Sequence, residues 1–251
     1  TIKEHLGRRI RQEPDKAAEI YDSEHRRNWA YGQQDVPGYS GPARFDPTWA
    51  RHWRAQHFVD KLKEKKAHDI LDVGAGAVYP TIFGMAGFQV TALDVSEEAL
   101  HQAQEIARKW DVVDKITCVT GEAQEIPFPD SSFDGVVLGE ILEHVFDPEK
   151  VLAEAYRVVR PGGRIVASTP ILGHHYDPMH VASEQGGWTE EGIRRLVSAY
   201  GDQVSLVAAI AEAGTDPSCF LFCIDKQKGV THIINASSTA HPAQQSKPPK
   251  E

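Results

Sequence analysis

An α/β fold, doubly wound around one mostly parallel seven-stranded sheet, is what this sequence predicts, and three observations predict it. From residue 68 onward, short runs rich in β-branched residues alternate with stretches of helical period. The first run ends in an acidic residue and a glycine turn, Asp72-Val73-Gly74-Ala75-Gly76. The last two runs are joined by a turn-rich segment too short for a parallel crossover, so they should pair as an antiparallel hairpin with the final strand reversed.

The strands follow in order as His68 to Val73, Gln89 to Asp94, Lys115 to Thr120, Phe133 to Leu138, Gly163 to Thr169, Val204 to Ile210 and Cys219 to Asp225. Helices are expected over Tyr79 to Ala86, Ser96 to Trp110, Asp147 to Val159 and Thr189 to Ala199. Pro80 suits the first turn of the first of these, and Arg160-Pro161-Gly162-Gly163 stops the third. Strands alternating with helices place helices on both faces of the sheet.

Three regions result. Residues 1–66 differ in kind from the rest: they hold Trp29, Trp49 and Trp53, together with Tyr21, Tyr31 and Tyr39. They read either as a helical collar that buries its aromatics against the sheet domain or as a lid over its site. Residues 67–228 form the sheet domain. Residues 229–251, dominated by Ser, Pro, Gln and Lys after Ser237, have no hydrophobic pattern and are expected to be disordered.

Composition excludes several classes. With 251 residues, 41% hydrophobic and 25% charged, the chain is globular, and a core is affordable at this length. Its longest apolar runs fall far short of the ~20 residues that span a bilayer. The opening residues show no apolar stretch before a cleavage site, and Cys118, Cys219 and Cys223 are too few and too widely spaced for a disulfide framework. Reduced, packed thiols in a cytoplasmic protein are the expectation. The net charge is -9, divided into +4 over residues 1–66 and -13 over the remainder, so nucleic acid is not the expected partner.

The glycine turn after the first strand lies at the carboxyl edge of the sheet, where open α/β sheets bind their ligands and where glycine lets a ligand approach the backbone. The second strand ends in Asp94, whose carboxylate can accept hydrogen bonds from both hydroxyls of a ribose. A dinucleotide would favour a further glycine for its pyrophosphate where Tyr79 stands, so the loop suits a nucleoside without phosphates.

These residues resemble the class I S-adenosylmethionine-dependent methyltransferases, whose hallmark is DxGxGxG at this turn followed by an acidic end to the second strand. Gly121-Glu122-Ala123-Gln124-Glu125-Ile126-Pro127-Phe128 is similar to the family's adenine-binding turn. Phe133-Asp134-Gly135-Val136-Val137 with Gly139-Glu140-Ile141-Leu142-Glu143-His144-Val145, and Val151 to Gly163, resemble its fourth strand and the helix before its fifth. The likeness spans roughly residues 68 to 226. It implies a Rossmann-like domain with S-adenosyl-L-methionine as cofactor, held by Asp72, Gly74, Ala75, Gly76, Asp94, Val95, Glu122, Ala123 and Gly139. Asp94 would take the ribose, Glu122 and Ala123 the adenine. One departure is visible: Val78 replaces the third glycine of the hallmark, which is tolerable only at negative φ.

Methyl transfer from a sulfonium demands alignment and, for a hydroxyl, a base. Glu140, His144 and His180 are the catalytic candidates, at the ends of the fourth and fifth strands, where the run Thr169 to His180 holds three histidines. His180 reads as a base or as a structural loop residue, and His144 equally as a hydrogen-bonded support. The acceptor expected is a small hydroxylated molecule such as a sugar or natural product. Glu140, Glu143, His144 and His180 also resemble the metal set of the small-RNA 3′-end 2′-O-methyltransferases. Metal dependence is not the expectation, nor is an RNA acceptor. A non-catalytic cofactor-binding scaffold or sensor is the remaining alternative.

Overall fold

The computed structural model describes residues 2–33, 53–173, 180, 182, 187–211 and 215–228. The expected tail, His174, His175, Tyr39 and Trp49 lie outside the described residues, as do the side chains of Trp29 and Tyr31. Two helices, α1 (Ile2–Gln12) and α2 (Ala17–Gln33), precede α3 (Trp53–Glu64). The sheet domain then runs β1 (Asp69–Val73), α4 (Tyr79–Met85), β2 (Gln89–Asp94), α5 (Glu97–Lys109), β3 (Ile116–Thr120), β4 (Phe133–Gly139), α6 (Pro148–Val158), β5 (Val159–Pro170), α7 (Glu190–Leu196), β6 (Val204–Ile210) and β7 (Cys219–Asp225).

The seven strands stand in the order β3-β2-β1-β4-β5-β7-β6. Every described pairing is parallel except those of β7, which runs antiparallel to both β5 and β6. The hairpin of the last two strands is as expected, and β7 inserts between its partner and β5. Two details differ from expectation. Strand β5 begins earlier, at Val159, because Phe133 pairs with it before the Gly162-Gly163 bend shifts the register. Helix α7 is shorter, because the chain tightens into a 3₁₀ turn over Ser198–Gln203 with Gly201 at φ 54°.

Strand alternation divides the core. Leu71, Val73, Val136, Leu138, Ile165 and Ala167 face α6 and α7, whereas Ile70, Val137, Val166 and Cys223 face Phe58 and Leu62 of α3 and Phe83 of α4. Helix starts are fixed by side chains. Ser96 accepts from Ala99 N at 3.0 Å, Asp147 from Lys150 N at 2.9 Å with Pro148 behind it, and Thr189 from Gly192 N at 3.0 Å. Acidic Glu97 and Glu98 open α5 and basic Arg108 and Lys109 close it, matching the helix dipole. The three cysteines are free thiols, and burial pushes those of Cys219 and Cys223 up to about 12. Among the described residues no helix is long and apolar enough to cross a membrane.

Candidate functional site

The turn after β1 shows why glycine is required there. Gly74 and Gly76 sit at φ 66° and 56°, the left-handed region that a side chain disfavours. A Cβ on Gly74 would lie 2.6 Å from Cδ1 of Ile141, so this turn and the β4 end are packed against each other without room for a methyl group. Val78 adopts φ -111°, ψ -49° as the residue preceding α4. Its negative φ explains how the chain accommodates valine where the family's hallmark has glycine.

Above these turns lies a cavity of about 320 Å³ whose floor follows the sheet order. Glu122, Ala123 and Gln124 follow β3, Asp94 and Val95 end β2, Gly74 and Gly76 follow β1, and Glu140 and Ile141 follow β4. Four adjacent strand ends at ~4.8 Å spacing give a floor ~14 Å long, suited to an extended nucleoside with an amino-acid arm. Both oxygens of Asp94 accept backbone N–H groups, from Gly76 and Ser96, each at 2.9 Å. Each oxygen keeps a second lone pair, so the carboxylate can also accept from a ribose hydroxyl. Burial raises the Asp94 carboxyl above its ordinary value against the pull of those two N–H groups, with His25 lowering it and Asp22 raising it.

Of the nine residues expected to hold the cofactor, Gly74, Gly76, Asp94, Val95, Glu122 and Ala123 line this cavity. Asp72 and Ala75 are buried beneath it, and Gly139 packs against Phe58 and Tyr79. The Asp72 carboxyl is held well above the usual carboxylate range, by burial and then by the charge of Asp94.

The three catalytic candidates are placed differently. Glu140 lines the cavity from a left-handed backbone, φ 57°, but both its oxygens are engaged: Oε1 accepts from Ser168 Oγ at 2.7 Å, and Oε2 lies 3.7 Å from Arg54 Nη1. His144 lines the cavity and stacks edge-on against His180, ring centroids 4.8 Å apart. Glu143 is buried beside them, accepts from Thr169 Oγ1 at 3.2 Å, and is held well above the usual carboxylate range by burial and then by Glu140. Single ligand atoms of Glu143, His144 and His180 all lie within 4.8 Å of one another. One carboxylate and two imidazoles are a donor set that fits a divalent transition-metal ion. Glu140, grouped with them by resemblance to a metal set, turns instead to Ser168 and Arg54.

The roof comes from residues that no motif marked. Ile10, Ala17, Tyr21 and His25 of the N-terminal helical segment close the cavity from above. Tyr21 Oη lies 3.4 Å from His144 Nδ1, and Arg11 Nη2 donates to the His180 carbonyl at 2.9 Å. Asp22 accepts from Ser96 Oγ at 2.5 Å and from Glu98 N at 3.1 Å, fastening α2 to the first turn of α5. The only hint in the sequence was the aromatic content of this segment.

Comparison with known proteins agrees with this geometry. Residues 71–167 match the model of a methyltransferase domain. This stretch is a class I methyltransferase domain. The C-methyltransferase UbiE of ubiquinone and menaquinone biosynthesis from Psychromonas ingrahamii is 34% identical over 137 residues, covering 51% of this chain and 52% of the relative. The 27-O-demethylrifamycin SV methyltransferase of Amycolatopsis mediterranei is 33% identical over 150 residues, covering 59% and 54%. The chain thus spans about half the length of these curated relatives. Among solved structures, the [4+2]-cyclase SpnF superposes with a TM-score of 0.62 at 17% identity, covering 84% of this chain and 96% of that one, a likeness of fold. The domain is of the S-adenosylmethionine-dependent class, and the residues lining the cavity fit that cofactor: a carboxylate at the end of β2 with lone pairs to spare for hydroxyls, and a glycine turn beside it.

Proposed function

We propose that the chain as a whole methylates the oxygen of a small hydroxylated acceptor, a sugar or natural product, in the reducing compartment its free thiols suit. The observation that supports this most is the pair of imidazoles, His144 and His180, stacked at the end of the cavity where β4 and β5 finish. Bound S-adenosylmethionine supplies a methyl group on a positively charged sulfur. His144 receives the acceptor's hydroxyl proton, with Tyr21 at its Nδ1 and Glu143 and His180 beside it. Ile141, Val145 and the half-exposed Phe146 give the acceptor an apolar wall. Glu140, Gly74 and Gly76 fix the cofactor's methionine end, Asp94 and Val95 its ribose, and Glu122 and Ala123 its adenine.

The test is transfer of a labelled methyl group from the cofactor to two panels, hydroxylated sugars and natural products in one, quinols with a free ring carbon in the other. Label on oxygen in the first panel supports the proposal. Label only on ring carbon places the chain with carbon methylation, as the name of UbiE records for that protein. No label in either panel favours a cofactor-binding scaffold.

A second reading draws on the compact Glu143, His144 and His180 cluster. In it, these residues hold a divalent ion that binds the acceptor's hydroxyls, as in methylation of an RNA 3′ end. Its signature is loss of transfer on chelation, restored by added metal, with a 2′,3′-diol as acceptor. Transfer that survives exhaustive chelation removes it.

A further inference from the structure

The helices over the cavity are fastened differently from the rest of the molecule. Ala17, Tyr21 and His25 stand four residues apart along α2, so they form one stripe on the helix, and all three line the cavity. A helix that docks permanently on a core presents such a stripe as Leu, Ile or Val. Here it is a methyl group, a phenol and an imidazole above a space that a ligand can fill. Among the described residues, the apolar side chains that α1 and α2 bury form a small cluster of their own, Ile10 and Ile20 with Tyr21 against them, separate from the clusters that hold the sheet. To α5, α2 is held by hydrogen bonds and an ion pair. Asp22, next to the stripe, accepts from Ser96 Oγ at 2.5 Å and Glu98 N at 3.1 Å; Gln102 Nε2 donates to the His25 carbonyl at 3.1 Å, and Arg26 Nε lies 3.6 Å from Glu98 Oε2.

The tie at Asp22 is joined to the cavity through one residue. Ser96 is fully buried; its main-chain N–H donates to Asp94 Oδ1 at 2.9 Å while its hydroxyl donates to Asp22, so a single serine separates the two carboxylates. They repel each other, and the charge of Asp22 is one cause of the raised Asp94 carboxyl. Ribose hydroxyls that donate to Asp94 spread its charge, and a nucleoside fills the space beneath Tyr21 and His25, so a bound cofactor favours α2 in its docked position. We propose that α1 and α2 are a strap that closes on the bound cofactor, and that Asp22 is its latch, a positioning residue that holds Tyr21 and His25 over the cavity through Ser96 and Glu98. Opening of this latch sets the rate at which the demethylated cofactor leaves. Arg11, donating to the His180 carbonyl at 2.9 Å, ties α1 to the other end of the same cavity. The inference rests on the cofactor and on its ribose lying at Asp94, and it is independent of the acceptor.

The experiment combines hydrogen exchange and stopped-flow kinetics on the full chain, with S-adenosylhomocysteine as the probe. In the wild-type protein, saturating ligand should slow exchange of the α2 amides about tenfold and that of the α7 amides far less. Asp22→Ala should abolish the protection of α2 and raise the dissociation rate of S-adenosylhomocysteine about tenfold, with the association rate changed less than about twofold. Asp22→Asn should fall between, because it keeps an acceptor oxygen and loses the charge. The wild-type exchange needs no variant: α2 amides that are as slow without ligand as with it make the segment a fixed collar and overturn the proposal. Dissociation from Asp22→Ala at the wild-type rate also overturns it, as does an equal loss of protection in α2 and α7, which marks general destabilisation. Wild-type protein that binds S-adenosylhomocysteine and leaves α2 unprotected overturns the proposal alone. Wild-type protein that does not bind it removes the cofactor assignment along with the strap.

Discussion

The two sides of the cavity are built from different material. Over β1 and β2 the wall is largely main chain: Gly74 and Gly76 in left-handed turns, with the N–H groups of Gly76 and Ser96 holding Asp94. Over β4 it is side chains, Glu140, Ile141, His144, Val145 and Phe146, with Glu143 and His180 buried beside His144, and its roof is borrowed from helices more than a hundred residues away in sequence. A wall of backbone tolerates few residue types at its turns and presents the same shape whatever surrounds it. A wall of side chains can be altered one residue at a time. The first suits a constant ligand such as a cofactor, the second an acceptor that differs between relatives.

The sharpest way to break this contrast is at Gly74. Gly74→Ala places a methyl group 2.6 Å from Ile141 Cδ1 at a φ of 66°, and unfolding in urea should show a loss of about 2 to 5 kcal/mol, with S-adenosylhomocysteine binding lost alongside. A variant of wild-type stability would mean the backbone wall is not rigid. Next comes Asp94→Ala, expected to weaken cofactor binding by ~1 to 3 kcal/mol in calorimetry, since it removes a charged acceptor and frees two N–H groups.

Asp72 sharpens the comparison through pH. Its raised carboxyl means that the folded chain keeps a proton the unfolded chain releases. Stability contributed this way is present at low pH and declines as pH rises from the ordinary value of 3.8 towards the raised folded one, then levels off. Asp72→Asn should flatten that part of the profile and make the ligand-free protein more stable at neutral pH, as read from urea unfolding at a series of pH values. A variant less stable than wild type throughout would show that the carboxylate is satisfied.

On the side-chain wall, Tyr21→Phe removes one hydrogen bond to His144, worth ~0.5 to 1.5 kcal/mol. It should lower methyl transfer while leaving S-adenosylhomocysteine affinity within twofold, and an equal fall in both would place Tyr21 with the cofactor. The smallest effect belongs to Val78→Gly. Because φ is -111° there, restoring the hallmark's third glycine should cost ~0.5 to 1 kcal/mol of stability through backbone entropy and change cofactor affinity little.

What could be read from sequence follows the same division. The turn at Gly74 and Gly76, the acidic end of β2 and the succession of strands along the chain are written in local residue types, because positive φ and period-two burial admit few alternatives. Arg54 left no such mark, since an isolated arginine on an amphipathic helix looks like any solvated one until tertiary packing buries its Nε. Tyr21 and His25 were equally silent: their place over Asp94 and His144 depends on how α2 lies on α5. Glu140 was grouped with Glu143 and His144 by resemblance, yet its left-handed backbone aims it at Ser168 and Arg54.

Strand β7 carries a consequence for how the chain is made. It fits between β5 and β6, hydrogen-bonded along Arg164 to Pro170 on one side and Val204 to Ile210 on the other. During synthesis β5 therefore emerges about fifty residues before the partner that completes it, with one backbone edge bare throughout. An unpaired apolar edge invites pairing with another chain, so the interval before Asp225 leaves the ribosome is when a nascent molecule is most open to aggregation. Ribosome-stalled chains ended before β7 should engage holding chaperones, and chains extended past it should be released.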